Sequence, residues 1–131
     1  MKFRDALKEV LTKDELAYAV TSFDVVGDIA IIEIPEELVL KEKIIANTLL
    51  TLLKHVKVIL KKKGIHHGTY RLQNYTVIAG EKRKTTIHKE SGVRLKLNVE
   101  KSYFSARSSN ERLRIASLVK KDEYILVMFS G

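Results

Sequence analysis

The hydrophobic positions of the first half of the chain predict a helix, a hairpin and a second helix. Apolar residues spaced three and four apart over residues 2–20 predict an amphipathic helix, with a break near Thr12. Residues 23–34, rich in β-branched side chains, predict a hairpin or a bent strand pair with its turn at Gly27-Asp28. The broad apolar face of residues 35–53 predicts a longer helix, which must be buried against a sheet.

The second half of the chain is predicted to consist mainly of strands. An apolar run at residues 56–60 predicts the first of them, and a glycine-bounded basic segment at residues 61–68 predicts the loop that follows it. Three further short strands are predicted at residues 75–79, 85–88 and 93–99. The last of these alternates apolar and polar residues, which is typical of a strand with one buried face.

The final thirty residues predict a helix followed by a buried strand. Ser108 and Glu111 have the spacing of a capping box at the start of a helix over residues 108–119. An apolar run at residues 124–129 is of buried-strand type and leads to Gly131. A helix, a buried strand and then a glycine is how a doubly wound nucleotide-binding domain begins.

These elements predict an α+β fold with a mixed or antiparallel sheet of five or six short strands and helices packed on one face. Residues 1–100 are predicted to form this domain, and residues 101–131 the linker helix and first strand of a truncated doubly wound domain. A strand of such a sheet needs neighbours on both sides. The strand at residues 124–129 is therefore expected to dock on this domain, fray, or pair with another chain in a self-association.

Composition narrows the class of protein and its compartment. The chain has 131 residues, of which 45% are hydrophobic and 31% charged, as is ordinary for a globular domain. It contains no cysteine, which excludes disulfides and thiolate metal sites. Neither a signal-peptide pattern nor an apolar run of the ~20 residues that a membrane span needs is present. A cytoplasmic protein without membrane contact is expected.

The positive charge lies in the second part of the chain. Residues 1–50 hold 6 Lys and Arg against 10 Asp and Glu, a net charge of −4, whereas residues 51–131 hold 18 against 6, a net charge of +12. Such an asymmetry favours a polyanionic partner for the second part. The alternative is a thermophilic protein, in which lysine-rich surfaces are common.

The basic segment and the arginine after it are the candidate ligand-binding residues. The cationic and imidazole side chains of the segment are Lys61, Lys62, Lys63, His66 and His67. They are consistent with RNA contact or with a solvated surface, and adjacent histidines without a further ligand are poor spacing for zinc. Arg71 follows, and an arginine at this position is able to bind phosphate, to pair with a carboxylate, or to have no ligand.

Several short motifs, taken in order, resemble one family of RNA-modifying enzymes. The motifs are Phe23-Asp24-Val25-Val26-Gly27-Asp28, Gly68-Thr69-Tyr70-Arg71, Ala79-Gly80-Glu81, Ile87-His88-Lys89-Glu90, Tyr103-Phe104-Ser105-Ala106-Arg107, Glu111-Arg112-Leu113-Arg114-Ile115 and the closing Ile-Leu-Val-Met-Phe-Ser-Gly of residues 125–131. Together they resemble the archaeal and eukaryotic tRNA guanine-37 N1-methyltransferase family over residues 17–131. The wyosine-pathway aminocarboxypropyl transferases share this layout.

The resemblance implies S-adenosylmethionine-dependent transfer of a methyl group to N1 of guanine-37, beside the anticodon of tRNA. It implies that residues 1–100 recognise RNA and that residues 101–131 begin a Rossmann-like methyltransferase domain. Arg71 would contact the target guanine and stabilise charge on O6. The resemblance further implies that Tyr103 and Arg107 line the pocket of the target base and that Phe129, Ser130 and Gly131 start the cofactor loop. Arg112 is a further candidate for tRNA binding.

The resemblance also bears on what these 131 residues do alone. The general base of the family and most of its cofactor site lie beyond Gly131, so the isolated chain is expected to be inactive and not to bind S-adenosylmethionine. Many cofactor loops of the family carry an acidic residue where this chain has Val127, which leaves methyl and aminocarboxypropyl transfer open. Two alternatives are a stand-alone basic RNA-binding module and a basic domain that serves only in assembly or retains no function.

Overall fold

A four-stranded mixed sheet forms the centre of the molecule, and a separate two-stranded hairpin packs against one of its faces. The computed structural model describes residues 2–67, 72–102 and 104–126, with the backbone alone for residues 64–67 and 72–73. The strands are β1 (Phe23–Val26), β2 (Ile29–Ile32), β3 (Val58–His67), β4 (Leu72–Gly80), β5 (Thr85–Glu90) and β6 (Val93–Asn98). The helices are α1 (Phe3–Leu7), α2 (Lys13–Tyr18), α3 (Glu42–Leu52) and α4 (Ser109–Ser117), with 3₁₀ turns at Glu36–Lys41 and Ala106–Ser108.

The large sheet has the strand order β1-β2-β3-β4, and its one parallel pair is β2 with β3. The pairs β1–β2 and β3–β4 are antiparallel. A parallel pair cannot be joined by a tight turn, so the chain crosses from β2 to β3 through the 3₁₀ turn and α3. The hairpin β5–β6 forms the second sheet. The α+β class with a mixed sheet is thus confirmed, whereas the single sheet of five or six strands is replaced by two sheets within the described residues.

The four-stranded sheet is buried on both faces. On one face α1 and α3 cover it with an apolar cluster that includes Leu7, Ile45 and Leu49. On the other face Leu97 of β6 and Phe104 pack against Val58 and its neighbours. All four residues of β2 are buried, which is typical of a central strand with a parallel partner.

The local signals for turns and helix starts were of uneven value. The break near Thr12 is confirmed, because its hydroxyl accepts from the Glu15 amide at 3.2 Å and the Glu15 carboxylate accepts from the Thr12 amide at 2.9 Å. The capping box at Ser108 is wrong. Ser108 closes a 3₁₀ turn at φ −93° and ψ 13°, away from the extended conformation that a capping residue adopts, and its side chain makes no capping bond.

Two segments differ from the predicted elements. The predicted loop at residues 61–68 is wrong through His67, because β3 continues to that residue paired with β4. The predicted strand at residues 124–129 lies partly outside the described residues. Its described part, residues 124–126, is exposed and outside any strand, since no described neighbour pairs with it.

The β1–β2 turn leads to a test of how the two sheets meet. Gly27 has φ +58°, and a Cβ built on it would lie 2.1 Å from Thr86 Oγ1 and 2.7 Å from the Ile87 carbonyl oxygen of β5. Gly27→Ala should therefore add a steric penalty of about 1–3 kcal/mol to the cost of the left-handed backbone, about 1–2 kcal/mol. Urea unfolding measures the sum.

Gly92→Ala is the matched control. Gly92 has φ +79°, but a Cβ there would meet nothing within 4 Å. Gly92→Ala therefore carries only the cost of the left-handed backbone. Gly27→Ala is expected to lower the free energy of unfolding more than Gly92→Ala does. An equal loss of unfolding free energy in the two variants would show that β5 leaves room for a Cβ at position 27.

Candidate nucleic-acid interface

The lysines of the predicted basic segment lie on strand β3, which separates them. Successive residues of a strand point to opposite faces, so Lys61 and Lys62 do not share a face. Lys61 Nζ donates to Glu42 Oε2 of α3 at 2.6 Å, and both side chains are 21% exposed. Lys62 and Lys63 are exposed. The pKa of Glu100 is lowered, and the largest cause is the hydrogen bond from Lys84. The positive charge of Lys63 contributes to the same lowering.

Arg107 lies at the edge of β1. Its Nε donates to Asp24 Oδ1 at 2.5 Å, which ties the second 3₁₀ turn to the first strand. The Arg107 side chain is 70% exposed. A guanidinium has five N–H groups, so an exposed Arg107 is able to hold Asp24 and contact a ligand at once. The structure thus places this predicted site residue on the surface.

Arg112 is held in a cluster between α4 and the hairpin. Its Nε and Nη2 donate to the two carboxylate oxygens of Glu90, each at 2.6 Å, and its Cζ lies 4.5 Å from the centre of the Phe104 ring. This fork lowers the pKa of Glu90 and raises that of Arg112. Because Glu90 already neutralises Arg112, the tRNA contact predicted for Arg112 would be made by an arginine whose charge is compensated.

His88 completes the same cluster. Its Nδ1 accepts the Gly27 N–H at 3.0 Å, its Nε2 lies 3.4 Å from Glu90 Oε1, and its ring meets Phe104 edge-on at 5.0 Å between centroids. A ring nitrogen that accepts a hydrogen bond carries no proton, so the proton of neutral His88 sits on Nε2, facing Glu90. His88 therefore orients the cluster from its inner side, in keeping with a structural role.

A second polar group joins the β1–β2 turn to β5. Arg83 Nη1 and Nη2 donate to the two Asp28 oxygens at 2.8 and 2.6 Å, and the Thr86 hydroxyl donates to Asp28 Oδ1 at 2.8 Å. The Arg83 hydrogen bonds, followed by that of Thr86, lower the pKa of Asp28 to about 2. Arg83 also pairs with Glu81. Asp28 is thus a fixed structural anion.

Several predicted site residues lie outside the described residues. These are Arg71, Tyr103, Phe129, Ser130 and Gly131, together with the side chains of His66 and His67. In the part of the chain that the structure describes, no group of three His, Asp or Glu side chains is placed to hold a metal ion. None of the described helices combines the length and the apolar character needed to cross a bilayer.

Sequence reasoning did not identify the partners of the predicted arginines. Asp24 and Glu90 fix Arg107 and Arg112, yet both acids lie far from them along the chain. Their one sequence signal was membership of the Phe-Asp-Val-Val-Gly-Asp and Ile-His-Lys-Glu motifs. Those motifs therefore carry the carboxylates that position the arginines of the later motifs.

Two family models match the chain in succession. The TYW2 N-terminal domain matches residues 3–84, and the TRM5/TYW2 methyltransferase domain matches residues 86–131. These descriptions define a class of tRNA-modifying transferases, in agreement with the resemblance in the motifs. The chain belongs to the TRM5/TYW2 family.

Relatives from archaea show both activities named in that family. The tRNA (guanine(37)-N(1))-methyltransferase Trm5b of Pyrococcus abyssi is 45% identical over 111 residues, which cover 85% of this chain and 34% of the relative. The tRNA(Phe) (4-demethylwyosine(37)-C(7)) aminocarboxypropyltransferase of Pyrococcus horikoshii is 31% identical over 130 residues, covering 99% of this chain and 46% of the relative. The chain therefore spans between a third and a half of the length of these relatives.

A solved structure gives the same assignment of the fold. The complex of aTrm5 with tRNALeu superposes with a TM-score of 0.79 at 34% identity, over 92% of this chain and 36% of that chain. The described fold is thus that of the corresponding part of a Trm5 protein.

The Asp28 network predicts a pH dependence of stability. Folding lowers the pKa of Asp28 from its ordinary value near 3.8 to about 2, so its stabilisation is complete above pH 4 and is lost as the pH falls towards 2. The shift corresponds to at most about 2 kcal/mol, reduced to about 1 kcal/mol because the side chain is 34% exposed. Asp28→Asn should remove this stabilisation at pH 4.5 and leave stability at pH 2 nearly unchanged, as measured by urea unfolding.

Arg83→Met tests whether the ion pair with Arg83 is the cause of the lowered pKa of Asp28. If the ion pair lowers the pKa of Asp28, then Asp28→Asn should have little further effect on the pH profile in the Arg83→Met background. A profile that still depends on Asp28 without Arg83 would contradict this origin.

Proposed function

We propose that the chain serves as the N-terminal portion of an S-adenosylmethionine-dependent tRNA methyltransferase that modifies N1 of guanine-37. In this proposal residues 1–100 recognise tRNA and supply an active-site arginine, and residues 101–131 begin the cofactor-binding domain. The observation that carries it is the consecutive match of the two family models, 3–84 and 86–131. The 45% identity to a guanine-37 N1-methyltransferase favours the methyl-transfer reaction.

The nucleic-acid substrate is supported by charge and by a structural neighbour. Residues 51–131 carry 18 Lys and Arg against 6 Asp and Glu. Phosphate contacts by such residues dominate the affinity of RNA-binding proteins. The aTrm5 structure that superposes on this chain was solved with tRNALeu. We assign Lys62 and Arg107, which are exposed, to contact with that substrate.

Arg71 is the proposed catalytic residue. Guanine N1 becomes a good nucleophile only when its proton leaves, and the departing proton places negative charge on O6. A guanidinium at O6 stabilises that charge more in the transition state than in the bound substrate. Arg71 belongs to the segment of residues 68–71 that joins β3 to β4, and its role is inferred from the Gly-Thr-Tyr-Arg motif.

S-adenosylmethionine supplies the methyl group in this proposal. Phe129, Ser130 and Gly131 are the residues assigned to it, and they lie outside the described residues. The described residues are therefore given no role in the cofactor chemistry. They contribute the substrate side of the site.

Aminocarboxypropyl transfer is the second candidate function. It is favoured by the Pyrococcus horikoshii aminocarboxypropyltransferase, whose similarity extends over 99% of this chain, and by the match to the TYW2 N-terminal domain. A stand-alone RNA-binding module would need only the basic surface of residues 51–131.

Two chimeras distinguish these functions. Residues 1–131 of this chain are joined to the remainder of the Pyrococcus abyssi methyltransferase in one and of the Pyrococcus horikoshii aminocarboxypropyltransferase in the other. Each is assayed on its relative's own tRNA substrate, with the unmodified relative as the control. Methylation by the first chimera alone supports the proposal, activity of the second alone assigns the alternative, and tRNA binding without activity in either favours the binding module.

Arg71 is tested in the methyltransferase chimera. Arg71→Ala should lower kcat on the order of 10²–10³-fold, or about 3–4 kcal/mol, because a charge-assisted donor is lost from the transition state. Arg71→Lys should restore little, since an ammonium lacks the planar fork of the guanidinium. Single-turnover methylation at saturating tRNA measures the effect.

The opposite pattern would identify a phosphate contact. In that case Arg71→Ala would raise KM for tRNA and leave kcat unchanged, and lysine would repair part of the loss. A wild-type single-turnover rate for Arg71→Ala would remove Arg71 from the catalytic residues.

The two faces of β3 give a matched test of tRNA binding. Lys62→Gln should flatten the slope of log K against log salt by roughly 0.7 to 0.9, the effect of one neutralised phosphate. Lys61→Gln should change the slope little, because Glu42 already neutralises Lys61 at 2.6 Å. Fluorescence anisotropy of labelled tRNA with the 131-residue chain between 50 and 200 mM salt measures both, at concentrations chosen from the range expected for non-specific binding, roughly 10⁻⁴–10⁻⁶ M. Equal slopes for the two variants would show that Lys62 does not contact a phosphate of the tRNA.

A further inference from the structure

The outer face of the β5–β6 hairpin carries three cations side by side. In the antiparallel ladder Lys89 is opposite Arg94, and Ile87 is opposite Lys96. Residues that face each other across a ladder lie on the same side of it, so these four side chains share one face. All four are exposed. We call this set, Ile87, Lys89, Arg94 and Lys96, the hairpin face.

None of the described acidic side chains forms an ion pair with a cation of the hairpin face. Among the described residues, Lys89, Arg94 and Lys96 take part in none of the ion pairs. Four of the five glutamates of the second part of the chain are each held by a different cation, in the pairs Glu81–Arg83, Glu90–Arg112, Glu100–Lys84 and Glu111–Arg114. The fifth, Glu123, accepts from the Lys120 backbone amide. The lysine-rich surfaces of thermophilic proteins are organised as networks of opposite charges, which this face is not.

This arrangement disfavours folding when no ligand is present. Like charges directly opposite each other in a ladder are destabilising, and Lys89 is opposite Arg94. The inner face of the same hairpin shows the contrast, because Glu90 there is matched by Arg112. A polyanion at the outer face would remove the repulsion that the protein leaves in place.

The hairpin face also borders a concave groove with a volume of about 730 Å³. Lys89, Lys96 and His55 line it, together with Asp28 and Arg83, which neutralise each other. Ile87, half exposed, presents apolar surface between them. Cations in a row along a groove suit the phosphates of a nucleic-acid backbone.

We propose that the hairpin face binds the sugar–phosphate backbone of the RNA substrate. This inference rests on the proposed function, and it adds contact residues on the β5–β6 hairpin to Lys62 on β3. An acidic protein would satisfy the charges equally, and RNA is chosen because the aTrm5 structure that superposes on this chain was solved with tRNALeu. Binding here is independent of base identity, because phosphates carry no sequence information.

The test is the salt dependence of tRNA binding by the 131-residue chain. The triple variant Lys89→Gln, Arg94→Gln, Lys96→Gln should flatten the slope of log K against log salt by roughly two to three units. Its melting temperature should stay the same or rise, because the substitutions remove like-charge repulsion. An unchanged or raised melting temperature separates lost binding from lost folding.

The matched control removes the same three charges elsewhere. Lys13→Gln, Lys120→Gln, Lys121→Gln changes exposed lysines away from the hairpin and should leave the slope within one unit of the unsubstituted chain. If the control flattens the slope as much as the hairpin variant, net charge alone governs binding and the inference is overturned.

The remaining outcomes separate this inference from the proposed function. If the unsubstituted chain binds tRNA and the hairpin variant keeps its full slope, the hairpin face is excluded and the proposed function stands. If the unsubstituted chain does not bind tRNA at all, both are rejected. If polyglutamate of equal charge displaces labelled tRNA from the hairpin face as well as unlabelled tRNA does, the surface belongs to an acidic protein partner.

Discussion

The carboxylate of Asp28 fixes the β1–β2 turn against the β5–β6 hairpin, and it sets how the two sheets meet beside the apolar contacts between them. Arg83 donates two hydrogen bonds to this carboxylate, and the Thr86 hydroxyl donates a third. The neighbouring Gly27 amide donates to His88 Nδ1. These contacts bind the β1–β2 turn to strand β5 across 55 to 61 positions of sequence. One further polar contact supports the same packing, because the Tyr75 amide of β4 donates to Glu100 Oε2, just after β6, at 3.0 Å.

The inner and outer faces of that hairpin differ in whether their charged side chains are paired. On the inner face Glu90 is satisfied by Arg112, with Phe104 stacked beside the guanidinium. On the outer face Lys89, Arg94 and Lys96 lie together, and no described acid forms an ion pair with them. A buried charge must be paired to be tolerated, whereas an exposed one is tolerated through hydration. Each strand of the hairpin has six residues. Within that length, one face makes a neutralised structural contact and the other face forms a cationic surface.

Local structure was predictable from sequence in part, with the capping box at Ser108 as the exception, and tertiary pairing was not. The β1–β2 hairpin followed from Gly27, since a turn with positive φ is specified by its own residues. Thr12 and Glu15 likewise specify the start of α2 locally. Residues 61–67 were predicted as a loop from their charge, but pairing with β4 made them a strand, and local composition contains no information about that partner.

The candidate site was predictable to a similar degree. Motif resemblance selected Arg107 and Arg112, and the structure shows that both are fixed by carboxylates distant in sequence, at Asp24 and Glu90. A separation of 83 residues in the first case leaves no periodic signal to detect. The hairpin face was missed because its cations converge only once the ladder register of β5 and β6 is known.

The parallel pairing of β2 with β3 has a consequence for the order of folding. The antiparallel pairs β1–β2, β3–β4 and β5–β6 each join consecutive strands, and hairpins of this kind form in about 1–10 μs. By contrast, Ile29 pairs with Val58, so β2 must wait until α3 has closed a long loop. During synthesis the fully apolar β2 leaves the ribosome before its partner does. The nascent chain thus passes through an interval in which Ile29–Ile32 has no parallel neighbour, and this segment is the point at which aggregation or chaperone capture of the growing chain would begin.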